Sequence, residues 1–362
     1  MGEVVKLAVR KKVLVTPLDW GLGHATRCVP IIHLLKKMGC EVSIASSGDA
    51  LVLLQQEFPN LQYFHLPSYK ASYSSRLPLM LKVFLQIPKF IWAIIKEHLR
   101  LKKIMRSHAF DVVISDHRYG CWYAKAPCVF VTHQINILMP SGFPWLEAIV
   151  NYFNHRAILK FDRCWVPDYP DNPLTGKLSV PFHPRTAFVG MLSRFHKIGV
   201  DGEIPYHIVA VLSGPEPQRT VLELLLLKEL KMSDHKALLI RGIPGSSDKP
   251  TVRGNLTIVD YLPSPALNAM ILKSSIVICR SGYSSIMDLA AIGRRAIFIP
   301  TPGQTEQEYL AQELEKRKIA GFQTQHKLNL KAALAEINHY KGFEDWKHRP
   351  NLLQQAVNEL LL

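Results

Sequence analysis

Cysteine is sparse in this 362-residue chain, and the six present (Cys28, Cys40, Cys121, Cys128, Cys164 and Cys279) form no C-x-x-C pair and have no histidine-rich partner spacing. That argues against a zinc site and a disulfide framework, and for a reducing cytoplasm. No D-x-D lies in a loop where it would hold a divalent ion, so no metal is expected. Long apolar runs are missing too. The most apolar stretch, LPLMLKVFLQIPKFIWAII, is interrupted by Lys82, Gln86 and Lys89, too many polar groups for a spanning helix. No N-terminal stretch has the continuous apolar core of a signal peptide, and the expectation is a protein neither secreted nor integral. Acidic residues are few: 29 Asp and Glu face 44 Lys and Arg, and the excess of 15 positive charges favours an anionic partner such as a nucleotide or a phospholipid surface. No recognised nucleic-acid module accompanies that charge, which argues against nucleic acid.

What is present is the composition of a folded globular protein, 48% hydrophobic and 20% charged, long enough for two cores. Short apolar runs rich in β-branched residues recur at 12–17, 41–46, 61–66, 111–115, 128–132 and 164–167, with helical patterns between several of them. Strands apolar throughout are covered on both faces, so the pattern predicts a parallel, doubly wound α/β sheet. It restarts at 206–213, 236–241, 256–260, 275–282 and 296–300. Residues 1–190 are expected to form one Rossmann-like domain and 205–362 a second. The polar, glycine-bearing 191–204 would be the linker, and the last helix could pack on either domain.

The run PLDWGLGHATR (17–27) joins the first strand to a helix whose apolar positions Cys28, Ile31, Ile32 and Leu35 share one face. Gly21 and Gly23 let backbone N–H groups approach a ligand at that helix N-terminus. A dinucleotide fingerprint needs a third glycine, where Thr26 stands, and an acidic residue at the end of the second strand, where the chain reads SSG. A tight turn without ligand is one reading that remains. The other uses His24, an imidazole at the carboxyl edge of the sheet, suited to act as a general base.

A second cluster follows the strand ending at Cys279. Ser281 or Ser284 can cap the helix beginning there, whose N-terminus offers N–H groups to phosphate. Asp288, three and four residues from Ser285 and Ser284, can accept the hydroxyls of a ribose or merely complement the helix dipole. The loops SGPEPQ, with Ser213 and Gly214, and PTPGQTEQEY, with Gln304, Gln307 and Glu308, end at the same sheet edge, where open α/β sheets bind ligands.

The run Asp260–Gly321 resembles the nucleotide-sugar half of GT-B glycosyltransferases, and in particular the family 28 type that includes the peptidoglycan N-acetylglucosaminyltransferase forming lipid II. The family's SRSG turn, its acidic residue six positions further on and its D-x-Q-Q loop are matched by Arg280 to Gly282, by Asp288 and by TEQE. Glu308 replaces the second glutamine, and Asp288 stands where a glutamate is usual. More weakly, GLGHATRCVP is similar to the family's glycine-rich loop, and THQIN (132–136), with His133, Gln134 and Asn136, looks like its acceptor-side HEQN motif. The resemblance implies two Rossmann-like domains facing across a cleft. A nucleotide-diphosphate sugar, with uracil as the base, would lie against Arg280, Ser281, Gly282, Tyr283 and Ser284, its ribose on Asp288, and transfer would invert the anomeric centre.

No cofactor beyond that co-substrate is expected. His24 is the first candidate for the base that activates an acceptor hydroxyl, and Asp116 the second. Between Lys70 and Arg106 nine Lys or Arg and a single acid, Glu97, interleave with Leu, Ile, Phe and Trp. Such a segment can lie on an anionic membrane, giving a peripheral enzyme with a lipid-linked acceptor, or be a surface helix with a large buried face. A nucleotide-sugar 2-epimerase and a non-catalytic sugar-nucleotide-binding protein are the competing readings.

Overall fold

The computed structural model describes residues 10–69, 85–140, 142–199, 203, 205–243, 249–344, 346 and 351–362. Most of the strand runs read from the sequence are buried along their length. In the first sheet they are β1 (Lys12–Pro17), β2 (Glu41–Ser46), β3 (Gln62–His65), β4 (Val112–Asp116), β5 (Cys128–Val131), β6 (Arg163–Val166) and β7 (Thr186–Phe188). The order is β3-β2-β1-β4-β5-β6-β7, parallel throughout. The second sheet holds β8 (Tyr206–Val211), β9 (Ala237–Ile240), β10 (Thr251–Arg253), β11 (Leu256–Val259), β12 (Ser274–Cys279), β13 (Ala296–Phe298) and β14 (Gly321–Phe322), in the order β10-β11-β9-β8-β12-β13-β14. Its edge strand β10 is antiparallel to β11, a departure from the all-parallel expectation.

Because strand side chains alternate between faces, each sheet carries two cores. Val13 and Val15 pack into one and Leu14 into the other; in the second sheet Ile208 and Ala210 separate from Val209 in the same way. Helix α1 (Leu22–Lys37) buries Cys28, Ile31, Ile32 and Leu35 against the first sheet, followed by α2 (Gly48–Glu57), α3 (Ile87–His108) and α4 (Pro144–Ile158). The second half adds α5 (Gln218–Lys231), α6 (Ser264–Leu272), α7 (Tyr283–Ile292), α8 (Thr305–Lys316) and α9 (Leu330–Glu336). The last helix, α10 (Asn351–Leu361), returns to the first sheet and buries Ala356, Val357 and Leu360 there. The crossing between halves is anchored at its start. Leu192 is buried in the first core, and Met191 and Phe195 in the second.

Strand register decides where the loops go. Pro17 is level with Asp116, and Asp116 with Val131, so the loops after β1, β4 and β5 emerge side by side. Cys279 is likewise level with Val211 and Phe298, gathering the loops after β8, β12 and β13. In each sheet the order reverses there, between β1 and β4 and between β8 and β12, and that is where open α/β sheets form a crevice.

Helix α3 presents a buried acid to this region. Glu97 accepts from Arg118 at 2.7 Å, from the Gly120 N–H at 2.8 Å and from the Tyr69 hydroxyl at 3.0 Å. Gly120 makes the approach possible, since a Cβ there would meet the Ile94 carbonyl at 2.5 Å. Residues 70–84, the first part of the basic apolar segment, lie outside the described residues. Glu97→Ala removes the nearer of two carboxylates from the buried Arg118, which keeps Asp19 at 3.6 Å, and a loss of roughly 3 kcal/mol in unfolding free energy by urea titration is expected. A loss under about 1 kcal/mol would show that this pair does not hold α3 in place.

Candidate active site

The loops of the first sheet build a buried polar cluster around Asp116, the last residue of β4. Its carboxylate takes a bidentate contact from Arg27 Nε and Nη2, and His24 Nδ1 lies 2.8 Å from Oδ1. Arg27 is one turn from His24 on α1, so both meet the same carboxylate. From there Arg27 reaches His117 Nδ1 at 2.9 Å and His133 Nδ1 at 2.7 Å. His133 continues into the second half, with Nε2 2.9 Å from Glu306 Oε1, while Gln134 Nε2 donates to Glu306 Oε2 at 2.6 Å.

Burial alone would raise Asp116, but Arg27 and His24 outweigh it and hold the carboxyl well below its ordinary range. The three histidines move the other way. Burial lowers His24, and Arg27 lowers it further against the pull of Asp116; burial and Arg27 act in the same direction on His117. Burial also lowers His133, although Glu306 opposes it. A neutral His24 beside an ionised carboxylate must donate its Nδ1–H to Asp116, which leaves a lone pair on Nε2. Nε2 makes no hydrogen bond within the described residues, and the side chain keeps 16% of its surface exposed. The arrangement is a histidine–aspartate pair with a free basic nitrogen, able to take a proton from a bound hydroxyl.

The second sheet brings its loops against this cluster. A Cβ on Gly23 would meet Ser284 Oγ at 2.5 Å, and Ser284 donates to the Gly23 carbonyl at 3.2 Å. Helix α7 starts at the N-cap Gly282 with no side-chain cap, so neither Ser281 nor Ser284 caps it. Ser281 is buried and donates instead to the Gln307 carbonyl, tying α7 to α8. Tyr283 is buried too, its ring stacked on His133 at 4.0 Å and its hydroxyl on the Pro167 carbonyl, a domain contact rather than a donor contact.

Arg280, expected at the phosphates, turns inward to the carbonyls of Ile299, Pro300 and Gln218 because the loops close over it. Burial brings its pKa down to about 10, and among the described residues no carboxylate pairs with it. Arg280 Nε and the neighbouring Thr301 Oγ1 are buried without hydrogen-bond partners. Asp288 accepts from Ser193 Oγ at 2.5 Å and from the Arg194 N–H, not from Ser284 or Ser285; burial nonetheless raises its pKa. Gln304 is the N-cap of α8, Gln307 accepts from the Thr301 N–H, and Glu308 accepts from the Gly303 N–H, which shapes their own loop. Ser213 and Gly214 are exposed opposite Thr301, Gly214 at φ +102°. Gly21, at φ +83°, is the N-cap of α1. Asn136 stands apart from the cluster, donating to the Lys177 and Val180 carbonyls because THQIN turns away there.

Residues 211–356 match the model of the glycosyltransferase family 28 C-terminal domain. An uncharacterised glycosyltransferase of Methanosarcina acetivorans is 22% identical over 96% of this chain and 95% of its own. The UDP-N-acetylglucosamine--N-acetylmuramyl-(pentapeptide) pyrophosphoryl-undecaprenol N-acetylglucosamine transferase of Pasteurella multocida is 22% identical over 83% of this chain and 80% of its own. The solved glycotransferase of kitacinnamycin superposes with a TM-score of 0.66 at 14% identity, covering 98% of this chain and all of that one, a likeness of fold. The second domain matches the family 28 C-terminal domain, the fold is GT-B, and the chain is a glycosyltransferase.

In this glycosyltransferase the sequence pointed to His24, Asp116, His133 and Gln134, and the fold brings all four together. It did not point to Arg27 or His117, and it named Glu306 only as part of the TEQE loop of the donor side. The spacing of Arg27 from His24 was the available signal, an arginine one turn from a loop histidine on an otherwise apolar helix face.

Below pH 6.5 the unfolded chain protonates histidines that the folded chain keeps neutral, so stability present above that pH is lost as pH falls. The urea midpoint of the glycosyltransferase is expected to fall between pH 7.5 and pH 5.5. A midpoint constant across that window would mean that the three imidazoles take up protons in place.

Proposed function

We propose that this glycosyltransferase moves a sugar from a UDP-type sugar held by the second domain to a hydroxyl of a lipid-linked acceptor held by the first, with inversion and without a metal. The observation that carries the reading is the His24–Asp116 pair, its Nε2 free, on a loop in contact with the first turn of α7. In the reaction His24 Nε2 takes the acceptor proton while the acceptor oxygen attacks the anomeric carbon. The bond from that carbon to the diphosphate breaks with its electron pair, and the nucleoside diphosphate leaves. Asp116 supports the imidazolium so formed, as the carboxylate of a catalytic triad does. Negative charge growing on the diphosphate is stabilised by the N–H groups at the start of α7 and, from beneath, by the unpaired cation of Arg280. The ribose lies on Asp288, whose bond to the Ser193 hydroxyl has the chemistry a ribose hydroxyl would offer.

A lipid-linked acceptor is supported by the faces of α3 and α4. Exposed Ile91, Trp92, Ile95 and Leu99 on α3 stand with Trp145, Ile149, Tyr152 and Phe153 on α4, Trp92 and Trp145 being 59% and 64% exposed. Both helices pack on the same loop, α3 through His98 to Gly120 and α4 through Asn154 to Tyr119. Aromatic and aliphatic groups among Lys96, Lys102, Lys103, Arg106 and Arg156 suit the headgroup layer of an anionic bilayer. Among the described residues no helix is long and apolar enough to cross a membrane. The name of the Pasteurella relative supports the same choice of donor and acceptor class.

UDP release from a panel of UDP-sugars, with and without a lipid extract, tests the reading. Release that depends on the extract supports transfer, conversion of the donor alone marks an epimerase, and binding without turnover marks a binding protein. Loss of a hydrogen bond to a charged group costs roughly 1.5–3 kcal/mol, so Asp288→Ala is expected to weaken UDP binding roughly 10- to 100-fold by calorimetry. Unchanged affinity would refute the ribose assignment. His24→Ala is expected to retain UDP binding while losing roughly 10²- to 10⁴-fold in turnover. In flotation assays the chain is expected on vesicles of anionic but not zwitterionic phospholipid. A Trp92→Ser, Trp145→Ser double variant that floats equally well would remove the membrane assignment.

A further inference from the structure

Within the cluster Arg27 Nη2 has three neighbours in bonding reach: Asp116 Oδ1, His24 Nδ1 and His117 Nδ1, the two nitrogens each at 2.9 Å. A guanidinium nitrogen carries two hydrogens, so one of the three neighbours is not an acceptor. That neighbour is His24, whose Nδ1 must hold its own hydrogen to lie 2.8 Å from a carboxylate oxygen. His117 Nδ1 then faces only a donor and carries a lone pair. Its hydrogen sits on Nε2, 3.1 Å from Thr132 Oγ1. The same logic holds for His133. Nδ1 accepts from Arg27 Nη1, and Nε2–H points at Glu306. Every proton in the cluster is thereby placed, and two of the three histidines turn a donating nitrogen away from Arg27 while His24 does the reverse.

His24, Asp116 and His117 also each offer one ligand atom within 4.8 Å of the others, a spacing suited to a divalent cation. Arg27 Nη2 stands among these groups, donating to Asp116 Oδ1 and His117 Nδ1 with His24 Nδ1 at 2.9 Å. We infer that Arg27 is a positioning residue, an internal cation in the place of a metal ion, which fixes the proton on His117, donates to His133 Nδ1 and leaves Nε2 of His24 as the basic nitrogen of the cluster. A lysine cannot replace it, since a single ammonium offers no second nitrogen to reach His133 and no fork for the carboxylate. The catalytic meaning of this assignment rests on the transferase reading, but the proton arrangement does not.

The test is long-range ¹H–¹⁵N imidazole spectroscopy of the full chain at pH 7.5, with His24, His117 and His133 assigned by single His→Gln variants. Wild type is expected to show Nδ1–H at His24 and Nε2–H at the other two. Arg27→Lys and Arg27→Gln are expected to give a tautomer mixture at His117, with His133 still held by Glu306, and at least a tenfold fall in turnover, with UDP affinity held within about twofold. Nε2–H at His24 in wild type overturns the assignment, as does an unchanged His117 signal in a folded variant. A second arm titrates cobalt(II) into Arg27→Ser. Removing the guanidinium opens a two-histidine, one-carboxylate centre, and visible absorption is expected there but not in wild type. Equal absorption in both, or none in the folded variant, counts against an internal cation. Should the spectra agree while no donor and acceptor turn over, the transferase reading falls and the role of Arg27 stands.

Discussion

The structure depends on a buried charge, the carboxylate of Asp116. It sits at the end of a central strand with no exposed surface, where an unpaired anion would be untenable. Arg27 neutralises it from α1, His24 donates to it from one turn earlier on the same helix, and the histidines around them are lowered by burial, with Arg27 adding to it. The loops after β1, β4 and β5 are therefore joined by one ion pair. Through His133 and Glu306 the same network extends to α8 of the other domain, so the electrostatics of one sheet's edge are completed by the second sheet.

Much of this was legible from residue pattern. Runs such as KVLVTP and SIVIC hold β-branched and aliphatic side chains at consecutive central positions, which a doubly covered strand can bury, and the parallel doubly wound class followed from their alternation with helices. The short strands β10 and β14 were missed. Thr251–Arg253 is exposed and Gly321–Phe322 has two residues, too few to carry a period. Asp116 was legible because it ends a strand at the sheet edge, and His24 because it opens the helix that follows the glycine-bearing loop there. Arg27 was not, because a charged residue inside an apolar helical face reads as a surface group until a buried partner is known to await it.

The donor side departs further from its sequence reading, and the reason is packing. Arg280, Ser281 and Tyr283 belong to a motif suggestive of direct ligand contact, yet the three loops lie so close that their side chains are used in holding one another. A motif gives the identity of residues at a loop but not the direction in which each side chain turns. Asn136 shows the same effect on the acceptor side.

The chain passes between its two halves with Leu192 fastened in one core and Phe195, three residues on, in the other, and later sends α10 back to the first core. Two such anchored points act as the pins of a door. Tethered at both points, the partners Gly23 and Ser284, and His133 and Glu306, meet as groups of one molecule at a high effective concentration rather than by diffusion.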